Sequence, residues 1–213
     1  MDAPELNRLR TAVLALLGVV TLGSLLGTAL APYLLVEAPL LLVAISPAAH
    51  HVVLAAASAD PVPLVLLASV RRVVTCVAAY GLGYFYGRGA LGWVEQRHPR
   101  LARFVGWVER LFARFGVWLL VPAPTPTVAL FAGATRTRFI AFVLATFFGQ
   151  ILWNSVTVTL GDALSVWTDR LTTFLRGHLV ESTLVCMAAV ALKQVWSRFL
   201  RRRRQSALPL SRG

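Results

Sequence analysis

Apolar residues fall in long blocks bounded by charge, with no strand-like alternation. Residues 11–36 form the first block, 26 uncharged positions between Arg10 and Glu37. About 20 apolar residues cross a hydrocarbon core of ~30 Å, so this block predicts a spanning helix with some tilt. Arg8 and Arg10 ahead of Ala29, Leu30 and Ala31 also suit a signal peptide. The block is long for one, and Pro32 would follow the scissile bond, so a retained helix is the favoured reading. Residues 61–87, 139–161 and about 179–196 predict three further spans. The last has an uncharged centre of only 11 residues, which places Glu181 and Lys193 near the interfaces.

Two other blocks are apolar but unsuited to a straight helix. Residues 38–59 carry Pro47, His50 and His51 near their middle. Residues 115–135 carry Pro122, Pro124 and Pro126 within five positions. Proline removes a backbone donor and clashes with the preceding turn. Such backbone survives at membrane depth only where protein or water covers it. Both blocks therefore predict re-entrant segments that enter and leave on one side.

Charge sets the orientation. Residues 88–116 hold six Arg against Glu95 and Glu109, interleaved with Trp93, Phe104, Trp107, Phe112 and Phe115. Their spacing suits an amphipathic helix at the cytoplasmic interface or a solvated loop helix. This segment nets +4, residues 193–213 net +7, and residues 161–182 net −1. The excess of positive charge on the cytoplasmic side then puts both termini in the cytoplasm. It also has the first broken segment entering from outside and the second from the cytoplasm. The expected architecture is all-α: four spanning helices, two opposed proline-broken segments and an interfacial helix. Residues 1–196 form one membrane domain, followed by a basic tail over 197–213.

Composition agrees. Residues AVILMFWYC make up 57% of the chain, charged residues 14%, and mean hydropathy is +0.70. A soluble domain carries about 25% charge, so an ordinary soluble enzyme, a disordered chain and a coiled coil are excluded. The net charge of +12 lies at block ends, which favours topology over nucleic-acid binding. Cys76 and Cys186 sit in apolar blocks without metal-ligand spacing, and no metal or cofactor is expected.

A few polar residues remain for chemistry. Arg71 and Arg72 interrupt a span, where insertion costs about 2.5–3.5 kcal/mol per Arg at the centre. Either they snorkel to the interface, or their guanidinium forks bind an anionic headgroup. His50 and His51 are either hydrogen-bonded neutral residues in a helix break or proton-coupling groups. Arg136 and Arg138, after the second broken segment, are topology anchors or the rim of a phosphate site. Gln150, Asn154, Thr157 and Gly161 share one helix face, which should meet protein or a polar cavity. Gly83 and Gly87 read as a close-packing pair, not as part of a dinucleotide motif.

Several of these pieces carry a resemblance. Tyr84-Phe85-Tyr86-Gly87-Arg88-Gly89, then Phe115-Gly116, Val121-Pro122-Ala123-Pro124 and Ala132-Gly133-Ala134-Thr135-Arg136 follow in order, with Phe139, Gly149 and Trp153 after them. Over about 38–165 the chain resembles the DedA family, whose domain is also called VTT or SNARE-associated Golgi protein. The resemblance implies two re-entrant hairpins related by inverted topology in a bacterial cytoplasmic membrane. It also implies translocation of phospholipid or polyprenyl-phosphate carrier lipid, in some relatives coupled to protons. The family's carboxylate in the first re-entrant segment falls near His50 or His51 here. Its two arginines in the second fall at Leu119 and Thr125, while Arg136 remains.

Together these point to a lipid flippase or scramblase whose partners are membrane lipids, with no nucleic acid. Arg71, Arg72 and Arg136 would bind an anionic headgroup, and Thr125 and Thr127 would donate hydrogen bonds. Pro47, Pro122, Pro124 and Pro126 would hold the helix breaks, and His50 and His51 would gate by protonation. The alternatives are a proton-coupled transporter of a small ion or solute and a non-transporting membrane assembly protein. A homo-oligomer is open. No nucleophile–base or metal constellation supports an enzyme.

Overall fold

Proline decides where the apolar blocks break. A computed structural model of the chain describes residues 3–97, 106–107, 110–112 and 114–206, the side chains of 3, 88, 90–97, 165, 169 and 197–206 excepted. Helix α1 spans Ala3–Ala29 and α2 spans Ala31–Glu37. The single straight span expected over 11–36 is therefore two helices. Pro32, in the first turn of α2, has no N–H to offer the Thr28 carbonyl, so the α1 ladder ends there. Helices α3 (Pro39–Ile45) and α4 (Ala49–Ala56) flank Ser46, Pro47 and Ala48, the first expected break. Helix α5 runs Pro61–Arg97.

Beyond α5 the described residues 106–107, 110–112 and 114–115 are again helical, within the segment expected to form the interfacial helix. A short 3-10 turn at Gly116–Leu120 follows, then α6 at Pro126–Ala134, preceded by the second expected break. Helix α7 covers Phe139–Ala163, α8 Ser165–Gly177 and α9 Leu179–Ser206. The chain is all-α, with no strand among the described residues. Four helices, α1, α5, α7 and α9, are long and apolar enough to cross a membrane. Two expectations change. Residues 88–97 prolong α5 where an interfacial helix over 88–116 was expected to start, because nothing at Gly87 to Gly89 stops the ladder. Residues 98–105, 108–109 and 113 of that segment, and 207–213 of the tail, lie outside the described residues. Helix α8 lies within residues 161–182, which entered the sequence reading only through their net charge.

Helix rise places the breaks in depth. Arg71 and Arg72 follow Pro61 by about 15–17 Å of helix, half of a ~30 Å core. Gln150 lies equally deep from Phe139 by the same measure. Helices α3 and α4, seven and eight residues long, reach about 10–12 Å, and the extended residues of the break between them, at about 3.3 Å each, carry the chain from the Pro61 end to that depth and back. Helix α6 lies along the other half of α5: Leu130 faces Gly83 and Ala134 faces Gly87. The second break is thus served from the Gly87 end. One buried cluster surrounds each break. Leu34, Leu42, Val43, Val52, Leu64 and Val158 surround the first, and Tyr80, Leu120, Ala129, Ala132 and Phe142 the second.

Close backbone approach holds the α5–α6 contact. A Cβ on Gly83 would strike the Leu130 carbonyl, and one on Gly133 the Tyr80 carbonyl. Small residues that let helices touch replace the hydrophobic drive that lipid does not supply. Gly83→Ala and Gly133→Ala should each lower stability by about 1–3 kcal/mol, read as a fall in the detergent-solubilised Tm. Gly89 is the control: a Cβ there would meet nothing within 4 Å, and its Ala variant should melt no lower. Equal Tm for all three would discard the close-contact account.

Candidate functional site

Each proline break frees carbonyls from helix ladders at a depth where water is scarce, so their partners can be counted. At the first break four successive carbonyls, residues 44–47, are taken by side chains. Arg71 donates from Nε to Ala44 O at 3.0 Å and from Nη2 to Ile45 O at 3.4 Å. His51 Nδ1 meets Ser46 O at 2.9 Å. A carbonyl only accepts, so Nδ1 carries the hydrogen and Nε2 is left as the acceptor in the neutral ring. Arg72 donates from Nε to Pro47 O at 2.8 Å.

The second break is treated alike with neutral donors. Trp153 Nε1 donates to Pro122 O at 2.8 Å, and Gln150 Nε2 to Pro124 O at 2.6 Å. The Thr125 backbone N–H donates to Ala123 O at 2.7 Å. The Thr125 hydroxyl then caps α6 by accepting from the Val128 N–H at 3.4 Å. Pro126 fits the first turn of α6 because its missing N–H is not needed there.

Between the breaks lie two cavities of about 400 Å³ each. Arg72, Pro124, Thr125 and Gln150 line both. Ala49, Pro122, Trp153 and Thr157 extend the first, and Ser24, Thr28, Ser46, Thr75 and Cys76 the second. Among the described residues, Arg72 is the one charged group in either lining. Its Nη1 and Nη2 make no hydrogen bond or ion pair to a described residue, beyond the Nε bond to Pro47. Ala49, Pro122, Thr125 and Trp153 are exposed, so the first cavity opens sideways at mid-depth.

The family model for the VTT domain matches residues 46–163, more than half of the chain. The chain belongs to the DedA/VTT family. Comparison with curated proteins and with solved structures returns no match. The match starts at the first break and ends with α7, so it encloses both breaks and the first cavity, while Ser24 and Thr28 of α1 complete the second from outside it.

In this DedA/VTT member the sequence-predicted residues separate into groups. Arg72 and Thr125 share both cavities. Arg71 lines neither; it turns to the α3 carbonyls and to Thr75 Oγ1 at 3.3 Å. Thr127, two residues into α6, is exposed and outside both. Arg136 sits at the Gly87 end at a φ of 55°, its guanidinium 5.2 Å from the Tyr84 ring centroid. His51 is buried in its carbonyl bond, while His50 is exposed. Pro47 and Pro124 line the second cavity, where the breaks face each other.

Gln150 and Trp153 were visible in sequence as a polar face and a family position, but their role as donors to proline carbonyls was not. On the same α7 face Asn154 is fully buried and donates to Ser69 Oγ at 3.0 Å. Replacing Trp153 by Phe keeps the ring and removes the N–H, leaving Pro122 O without its donor. An acceptor orphaned at membrane depth, where water does not replace its donor, costs about 1–3 kcal/mol. Trp153→Phe should therefore speed amide hydrogen exchange in residues 116–130 without altering exchange in α4. Unchanged exchange at the second break would mean that Pro122 O is satisfied in another way.

Proposed function

We propose that this DedA/VTT member moves the phosphate-bearing headgroup of a membrane lipid between leaflets through the two joined cavities at Arg72. The carrying observation is the guanidinium of Arg72: anchored by Nε, unpartnered at both Nη atoms among the described residues, and alone as a charge in a sideways-opening cavity. An unpaired cation at membrane depth is expensive, and a phosphate bound there offsets that cost. Guanidinium presents paired N–H groups that match two phosphate oxygens. Thr125 and the indole face of Trp153 line the approach, and the acyl chains stay in the hydrocarbon beyond the exposed rim. The four residues common to both cavities form the crossing point. Arg136 meets the headgroup at the Gly87 end, and Arg71 holds the first break in shape.

In this reading residues 1–196 act as one membrane unit of a bacterial cytoplasmic membrane. Both termini lie in the cytoplasm, because the basic residues 88–116 and 193–213 then stay inside. The Pro61 end of α5 faces outward and the Gly87 end inward.

Reconstitution in liposomes tests the reading. Wild-type protein should expose fluorescent phospholipid or polyprenyl phosphate from the inner leaflet. Arg72→Gln should slow exposure by about ten-fold or more, since a charge-assisted bond of about 1.5–3 kcal/mol is lost. Arg72→Lys should retain part of the rate, keeping charge without the fork. Thr127→Ala should leave it unchanged. Full activity in folded Arg72→Gln would remove the site. Inactive wild type that takes up a solute along a pH gradient would move the assignment to a proton-coupled transporter.

A further inference from the structure

Helix α8 has three faces that point to a second site. Thr168 and Leu175 turn inward, Leu175 packing on the cluster around the first break. Trp167, Leu171 and Phe174 are exposed and share one side of the helix at i, i+4 and i+7. Arg170, Thr173 and Arg176 are exposed on the remaining side. Single residues, Leu164 and His178, join α8 to α7 and α9, so it cannot leave the membrane border. Ala163 lies 13 residues past Gln150, about 20 Å of helix from mid-depth, just beyond half of a ~30 Å core. That is headgroup level, where Trp167 suits the interfacial aromatic belt and Leu171 and Phe174 the apolar face of a helix lying in the interface.

A cavity of about 280 Å³ opens at this level between α8 and the returning end of α4. Leu35, Val36 and Ala57 form its floor, and Ser58, Thr172, Thr173 and Arg176 its polar wall. Among the described residues, the lining contains one cation, three hydroxyls and no carboxylate. We propose that this cavity binds the phosphate of an anionic lipid headgroup, held chiefly by the Arg176 guanidinium with Ser58 beside it, whose hydroxyl makes only a long 3.5 Å bond to Ala55 O, while Trp167, Leu171 and Phe174 lie among the acyl chains. The site is separate from Arg72, and it stands whether or not the chain moves lipid. A phosphate monoester with an acyl tail satisfies cation, hydroxyls and apolar floor together; free phosphate satisfies only the first two.

The test is equilibrium binding of a fluorescent short-chain phosphatidic acid to full-length Arg72→Gln, Arg136→Gln protein in neutral detergent, which removes both headgroup contacts proposed above. Binding should persist in that background. Adding Arg176→Gln should weaken it about ten-fold or more, as expected for loss of a charge-assisted contact. Arg176→Lys should recover part of the affinity, and Ser58→Ala should weaken binding less than Arg176→Gln does, as a neutral hydroxyl contributes less than a charge. Helical circular dichroism of each variant reports folding, which exposed Arg176 should not disturb. Competition by unlabelled short-chain phosphatidic acid but not by inorganic phosphate identifies the lipid headgroup. Equal competition by inorganic phosphate supports the phosphate site and overturns the lipid source. No binding in the Arg72→Gln, Arg136→Gln background, or binding indifferent to Arg176→Gln, overturns the site.

Discussion

The structure depends on what happens to carbonyl groups that proline frees in the middle of a membrane. Pro47 ends one helix and Pro122, Pro124 and Pro126 prevent another, so two stretches of backbone sit at mid-depth without a ladder. Each unmatched carbonyl there costs several kcal/mol, because no water replaces the lost donor. Residues 44–47 are matched by Arg71, His51 and Arg72, and Pro122 and Pro124 by Trp153 and Gln150. All these donors except His51 come from α5 and α7, the two spanning helices that flank the breaks. Consecutive arginines point about 100° apart on a helix. Both are accommodated because the turn at the first break wraps around α5, offering Ala44 and Ile45 to one and Pro47 to the other.

The two breaks are alike in geometry and unlike in charge. The first is closed mainly by guanidinium groups, the second by an indole, an amide and a backbone N–H. Among the described residues, charge at the meeting point therefore enters from α5 alone. The re-entrant carboxylate and the arginines implied by the family resemblance give way here to His50 or His51, Leu119 and Thr125. Arg71 is spent on three bonds to neighbouring groups. Arg72, making one, keeps its outer nitrogens for the cavities. Adjacent residues of the same type thus serve different ends, and only position relative to the first break separates them.

What was legible in the sequence was what depends on neighbours along the chain. Apolar block length gave the four spans, and clustered proline gave both breaks. Gly83 and Gly87 gave the close contact, since small residues four apart leave a groove on one helix face. The kink at Pro32 was equally local but was masked by a long block that looked sufficient as one helix. Helix α8 escaped because its exposed apolar residues, Val166, Trp167, Leu171 and Phe174, are dispersed among polar ones. The depth of Arg71 and Arg72 required knowing which carbonyls lie beside them, a matter of packing across more than 20 residues. Thr125 and Thr127 look equivalent in sequence. Thr125 is the cap that faces the cavities, while Thr127 is already on the helix and points elsewhere.

Glycine contacts explain why the meeting point is preformed. A Cβ at Gly149 would lie 2.8 Å from Val121 O, and one at Gly161 would lie 2.6 Å from Val53 O. Helix α7 thus touches the backbone of both broken segments, one near each end of its polar face. On the opposite side, Gly27 of α1 leaves room for Ser46, whose Cβ would be 2.7 Å from an added methyl. With the backbone pinned on these sides, the Nε bond to Pro47 determines where the Arg72 plane lies. Its remaining nitrogens are then presented at the residues common to both cavities. Pre-organisation of this kind spares a ligand the cost of ordering the site, and it follows from the same demand that placed the arginines there: every freed carbonyl must have a donor.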